Sequence, residues 1–195
     1  IDDGSTDNSV KIIQDYLNNP EIKLIKQPNK GLGPARNKGI EVSTKEYITF
    51  LDSDDKFLNT SFKKALTEID KSKSDILTTN FVRFDGNIIK NNKDFLIDTK
   101  IIIKDYELNY GEKILGLYSS SMACARIYRK KLITDNNIYF PEQKILHEDY
   151  FFTYKLFLVA KKIIYSSEIF YNWRINNQSI TNRKFDKEII NTCSY

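Results

Sequence analysis

The sequence predicts an α/β domain built on a mixed, mostly parallel sheet flanked by helices. Short apolar, β-prone runs end at acidic or glycine-containing turns, and those turns lead into segments of helical periodicity before residue 74. After residue 74 the alternation gives way to hairpin signals, which makes the sheet mixed.

Ile1 directly precedes the turn Asp3-Gly4-Ser5-Thr6-Asp7, as the last residue of a strand would, so a preceding part of the domain is expected. From Ser9, the apolar positions Val10, Ile13 and Leu17 follow helical spacing. Residues 23–26 read as a short strand and 27–33 as a loop with two glycines. Pro34 then suits the start of a helix running to about Val42. Residues 47–51 (YITFL) form an apolar strand ending at Asp52, and a helix begins near Thr60 with Phe62, Leu66 and Ile69 on one face. Further on, 75–79 and 81–84 read as strands, Asp85-Gly86 as a hairpin turn and 88–89 as its return. Helices are expected at 105–117 and 147–160. The second is apolar nearly all round through Phe151, Phe152, Leu156, Leu158 and Val159, which predicts burial.

A chain of 195 residues supports one core, so 1–195 is read as a single domain, with 1–74 and 75–195 as its two halves. The 30 basic and 26 acidic residues are interspersed, giving a net charge of +4 without a basic block; this argues against a nucleic-acid partner. A local patch on such a surface still suits a polyphosphate or peripheral contact with an anionic membrane. No run approaches the roughly 18–20 apolar residues of a membrane span. Cys124 and Cys193 lack metal or CxxC spacing, so reduced thiols and a cytoplasmic location are expected.

In the stretch Phe50-Leu51-Asp52-Ser53-Asp54-Asp55, carboxylates two apart stand at a strand end, where the chain can direct both at one ligand. Such hard oxygen donors suit Mg²⁺ or Mn²⁺, although an Asp-rich turn is also an ordinary way to start a helix. A calcium EF-hand fails on spacing, because Phe57 and Lys63 fall where glycine and glutamate are required. Asp2-Asp3-Gly4-Ser5 suits either a strand-to-helix turn or an acceptor pair for a base N–H and ribose hydroxyls. The stretch from Gly31 to Asn37 has neither Walker nor Rossmann spacing, and Arg36 there fits a base or phosphate contact or an exposed helix position. Glu148-Asp149 at a helix start fits catalysis, and equally the preference of carboxylates for the helix dipole.

Taken jointly, IDDGSTDNS, GLGPARNKGI, YITFLDSDD, ACARIYRKKLI, Glu148-Asp149 and YNWRINNQSIT resemble family 2 glycosyltransferases of the GT-A fold, over essentially the whole chain. The strand–helix–strand that normally opens this family is not present ahead of IDDGS. The resemblance implies a Rossmann-like nucleotide-diphospho-sugar transferase. It would move a sugar from a UDP-sugar, with inversion, to a carbohydrate or lipid-linked glycan in surface-polysaccharide synthesis, working at the inner face of the membrane. It further implies that Asp2 and Asp3 contact uracil and ribose, and that Arg36 helps hold the base. Asp52 and Asp54 become the acids of a DxD motif that binds Mn²⁺ or Mg²⁺, with Asp55 assisting. Glu148-Asp149 becomes an ED motif with Asp149 as general base. His147 is left off the metal ligands. Trp173 and Arg174 read either as a wall over a sugar or as core and rim. The alternatives are a sugar nucleotidyltransferase and a noncatalytic carbohydrate-binding or scaffold domain of the same fold.

Overall fold

A computed structural model describes residues 1–85, 88–90, 122–143, 145 and 148–175. In chain order these form α1 (Ser9–Gln14), α2 (Leu32–Val42), β1 (Tyr47–Ile48), β2 (Lys56–Phe57), α3 (Asn59–Ser72), β3 (Ile76–Asp85), β4 (Ile88–Lys90), β5 (Arg126–Arg129), α4 (Lys130–Asp135), α5 (Glu148–Val159) and β6 (Ile163–Arg174). The strands make one sheet in the order β1-β5-β3-β6-β2, with β4 added to β3.

The sheet is mixed, as expected, but its balance differs from the prediction. Among the described strand pairs only β3–β6 is parallel, while β1–β5, β2–β6, β3–β4 and β3–β5 are antiparallel. The expected strand at 23–26 contributes a single parallel bridge, Asp2 to Lys26, and the 47–51 run pairs only through Tyr47 and Ile48. The alternating first half therefore supplies loops and helices more than ladder. The second half supplies strands that fold back on β3, and antiparallel return needs no crossover helix. Asp85 pairs with Ile88, as a hairpin at 85–88 requires; the turn residues 86–87, the expected helix 105–117 and His147 lie outside the described residues.

The core lies between the sheet and its helices. Ile40 of α2, Ala65 and Ile69 of α3, Leu77 of β3, Ile127 of β5, Phe152 and Leu156 of α5 and Ile163 of β6 are all buried in one cluster. On α3 the predicted face is realised: Ala65 and Ile69 are buried and Phe62 and Leu66 pack beside them. By contrast, α5 is only half buried. It encloses Phe152, Thr153, Leu156 and Phe157 but leaves Tyr150 and Phe151 each 49% exposed, because the sheet covers one face of a helix whose apolar residues run around both.

The first turn of α2 is pinned to the segment after α4. Asn37 donates to the Phe140 carbonyl and accepts from the Phe140 N–H, both at 2.9 Å. A Cβ on Gly33 would lie 2.6 Å from the Pro141 carbonyl oxygen, so only glycine permits this approach. Gly33→Ala is expected to push α2 away from 140–141 and to destabilise the fold by about 1–3 kcal/mol, read from the urea midpoint.

Candidate active site

Asp2 is buried, and its carboxylate accepts the Ser5 N–H at 3.2 Å. The Asp3 carboxylate reaches across to the loop ahead of α2, accepting from Gln27 Nε2 (2.7 Å), Lys30 N (2.9 Å) and Gly31 N (2.8 Å). Gly31 has φ 100°, in the region only glycine enters freely, so Asp3 holds a bend that sets the start of α2. Gly4, at φ 79°, sits so close to Asn29 that a Cβ would stand 2.9 Å from its nitrogen. The two acidic positions thus lie beside the glycine loop.

Arg36, one turn into α2, is 7% exposed and faces inward. Its two terminal amino groups divide between two parts of the chain. Nη2 donates to Asp52 Oδ1 at 2.8 Å and approaches Cys124 Sγ at 3.8 Å. Nη1 donates to Glu148 Oε1 at 3.2 Å and to Asp149 Oδ1. The guanidinium also lies 5.9 Å from the Phe50 ring centroid and 5.3 Å from that of Phe140. Those rings belong to an aromatic group in which Phe140 stacks on Phe152 at 3.9 Å and Phe50 meets both edge-on. Burial opposes the charge on Arg36, but Asp149 and Asp52 outweigh it and raise its pKa further above the ordinary value.

Asp149 and Glu148 open α5. The second Asp149 oxygen accepts the Ala123 N–H at 3.0 Å. Burial raises the pKa of both carboxyls above the usual carboxylate range; Arg36 and the Ala123 N–H pull Asp149 partly back.

The acidic turn gives each of its carboxylates a different environment. Asp52 pairs with Arg36. Asp55 is turned inward, accepting from the Tyr171 hydroxyl and from Arg174 N at 2.8 Å, so it supports the turn from within rather than assisting at a metal as expected. Burial pushes the Asp55 carboxyl up to about 6 despite those two hydrogen bonds. The turn is closed by Asp55 N to Asp52 O at 3.1 Å, and the Asp52 N–H points to the Tyr171 oxygen at 3.4 Å. Asp54 is half-buried and has no hydrogen-bond or ion-pair partner among the described residues.

The structure therefore brings Asp52, Glu148 and Asp149 together through Arg36, and Asp54, two residues beyond Asp52, has no such link among the described residues. Arg36, expected at the base, is turned onto carboxylates. Trp173 meets the Phe81 ring edge-on at 5.7 Å with Arg83 over it at 4.7 Å, and Arg174 lies over Phe84. Sequence reasoning missed Tyr171 and Cys124. Tyr171 heads the YNWRINNQSIT stretch, but its hydroxyl role needs the β2–β6 pairing to become visible. Cys124 is buried against the arginine, and burial raises its thiol well above the ordinary range.

No group of three or more His, Cys, Asp or Glu side chains forms a metal cage among the described residues. An Mg²⁺ or Mn²⁺ site of the phosphate-binding kind needs only one or two carboxylates plus substrate oxygens, and the unpartnered Asp54 beside Asp52 fits that donor set.

Fold and site together define a GT-A domain. The chain belongs to glycosyl transferase family 2, whose sequence profile matches residues 1–135. It is similar to an uncharacterized glycosyltransferase, YibD, of Escherichia coli, 30% identical over 93% of this chain and 53% of that protein. It is also similar to the putative glycosyltransferase EpsH of Bacillus subtilis, 27% identical over 94% and 53%. Among solved structures, Staphylococcus aureus TarS in complex with UDP-GlcNAc is 26% identical with a TM-score of 0.77, covering 98% of this chain and 53% of the other. TarS is a poly(ribitol-phosphate) β-N-acetylglucosaminyltransferase. The chain spans about half the length of YibD and EpsH and less of full-length TarS. No described helix is long and apolar enough to cross a membrane.

Tyr171→Phe removes one of the two donors on buried Asp55 without opening a cavity. It should lower stability by about 1–3 kcal/mol, measured by urea unfolding; a change near zero would mean that the turn does not depend on this hydroxyl.

Proposed function

We propose that this chain carries the catalytic core of an inverting, metal-dependent glycosyltransferase. It moves a hexosyl or N-acetylhexosaminyl group from a UDP-sugar to a hydroxyl of a cell-surface glycan, at the cytoplasmic face of the membrane. The observation that carries this reading is the meeting of the Asp52–Asp54 turn with Glu148-Asp149 across Arg36. Membership of glycosyl transferase family 2 and the likeness to TarS bound to UDP-GlcNAc support the donor class.

In this reading residues 1–74 form the nucleotide side and the rest the acceptor side. Asp2 and Asp3 bind uracil and ribose. Asp3, which accepts from Gln27, Lys30 and Gly31, is held against the glycine loop on that side. Asp54, with help from Asp52, would hold Mn²⁺ or Mg²⁺. That cation would stabilise the charge building on the departing nucleoside diphosphate.

Asp149 takes the proton from the acceptor hydroxyl. Arg36 and Ala123 N occupy one site on each of its oxygens and leave further lone pairs for a proton. A single carboxylate base suits one direct displacement, which inverts the anomeric centre. Burial makes Asp149 a stronger base than an exposed aspartate.

Thermal unfolding tests the donor side. Mn²⁺ with UDP should raise the melting temperature more than Mn²⁺ with GDP, CMP or dTDP, and Asp54→Ala should abolish the metal-dependent part. No rise with any nucleotide would leave a noncatalytic domain of the same fold. Turnover tests the base: Asp149→Asn should lower kcat by about 10²–10⁴-fold. Because the folded Asp149 pKa is raised and the base must be ionised, wild-type kcat should fall as pH drops through a value higher than that of an ordinary aspartate. Asp149→Asn should lack that acid limb, and an unchanged limb would remove Asp149 from the base role.

A further inference from the structure

We infer that Arg36 is a positioning residue for transfer, whose rigid fork holds the Asp149 carboxylate in fixed register with the donor-side Asp52. This rests on the glycosyltransferase reading above and changes the part Arg36 plays within it.

The division of labour on the guanidinium carries the inference. One amino group is committed to Asp52, at the end of the run that follows β1, and the other to Glu148 and Asp149, at the start of α5. These segments are 96 residues or more apart in sequence, and the same side chain ties both to α2. A planar guanidinium fixes the separation and direction of its two ends, which a lysine ammonium does not.

The fork is itself immobilised. Phe50 and Phe140 lie against it, and the side-chain amide of the neighbouring residue Asn37 ties down the Phe140 backbone through two hydrogen bonds. The ring of Phe140 is thereby held at Arg36 by the same segment that Gly33 approaches closely. On the far side, Ala123 N fixes the remaining Asp149 oxygen. The carboxylate plane is therefore set from two directions before any acceptor arrives, which is the preorganisation a general base needs. With its terminal amino groups engaged on carboxylates, Arg36 serves the site from within rather than by gripping the nucleobase.

The test compares Arg36→Lys with wild type in three measurements. With Mn²⁺, UDP affinity by calorimetry should stay within about fivefold, while kcat for transfer falls about 100-fold or more, as a base displaced by about 1 Å would give. Loss of UDP affinity by tenfold or more with kcat retained would overturn the inference and return Arg36 to the nucleotide pocket, as would wild-type values for both. The third measurement needs no turnover. Unfolding midpoints of Arg36→Lys, Asp149→Asn and the double variant should be non-additive, with the double variant no worse than the poorer single. Strict additivity would overturn the positioning role even if wild type proved inactive, and inactivity of wild type with non-additive midpoints would sink only the transferase reading.

Discussion

The site depends on one buried cation. Placing a guanidinium in the interior is costly unless its donors are met and its charge is balanced, and Arg36 meets both conditions by drawing in carboxylates from two distant stretches. The dependence is reciprocal. Glu148 and Asp149 stand side by side, half-buried, at a helix start; the helix dipole offsets part of their repulsion, and Arg36 supplies the counter-charge. Removing it would leave adjacent carboxyls that resist ionisation together, and the pKa of Asp149 would rise further. Electrostatics and packing are thus one constraint here, since the aromatic group that orients the guanidinium is also the core beneath α5.

One guanidinium faces three carboxylates, with Asp54 nearby and unpartnered. Among the described residues the carboxylates of this partly buried cluster outnumber the cations that act on them, Arg36 and, at Asp149, Arg126. On the proposed reading a divalent ion accompanying a diphosphate would suit that imbalance, because it would bring charge together with oxygen ligands.

How much of this was legible in the sequence follows from the range of the interactions. The α3 face, the 85–88 hairpin, the acidic turn and the acidic helix start were readable because each is fixed by residues within a few positions of one another. The inward turn of Arg36 was not. An arginine in a first helical turn is usually solvated, and what buries this one is Phe50 and Phe140, which no local pattern connects to it. The same holds for α5: apolar residues around the whole helix foretold burial, but only the sheet decides which face is covered, and Phe151 falls on the other. The predominance of antiparallel pairs was hidden too, because a strand's partner is chosen by topology rather than by its composition.

The acidic turn shows why spacing alone could not assign its carboxylates. Asp52, Asp54 and Asp55 are chemically near-identical and adjacent, yet the fold sends each in a different direction. Asp52 is claimed by a cation from α2, and Asp55 by a phenol and a backbone N–H from β6, while Asp54 has no hydrogen-bond or ion-pair partner among the described residues. Asp55 has both oxygens engaged, whereas Asp52 gives only Oδ1 to Arg36. Tethering both neighbours holds the backbone that carries Asp54. On the proposed reading, engaging both Asp55 oxygens would leave a cation at this turn to Asp54 and the second oxygen of Asp52.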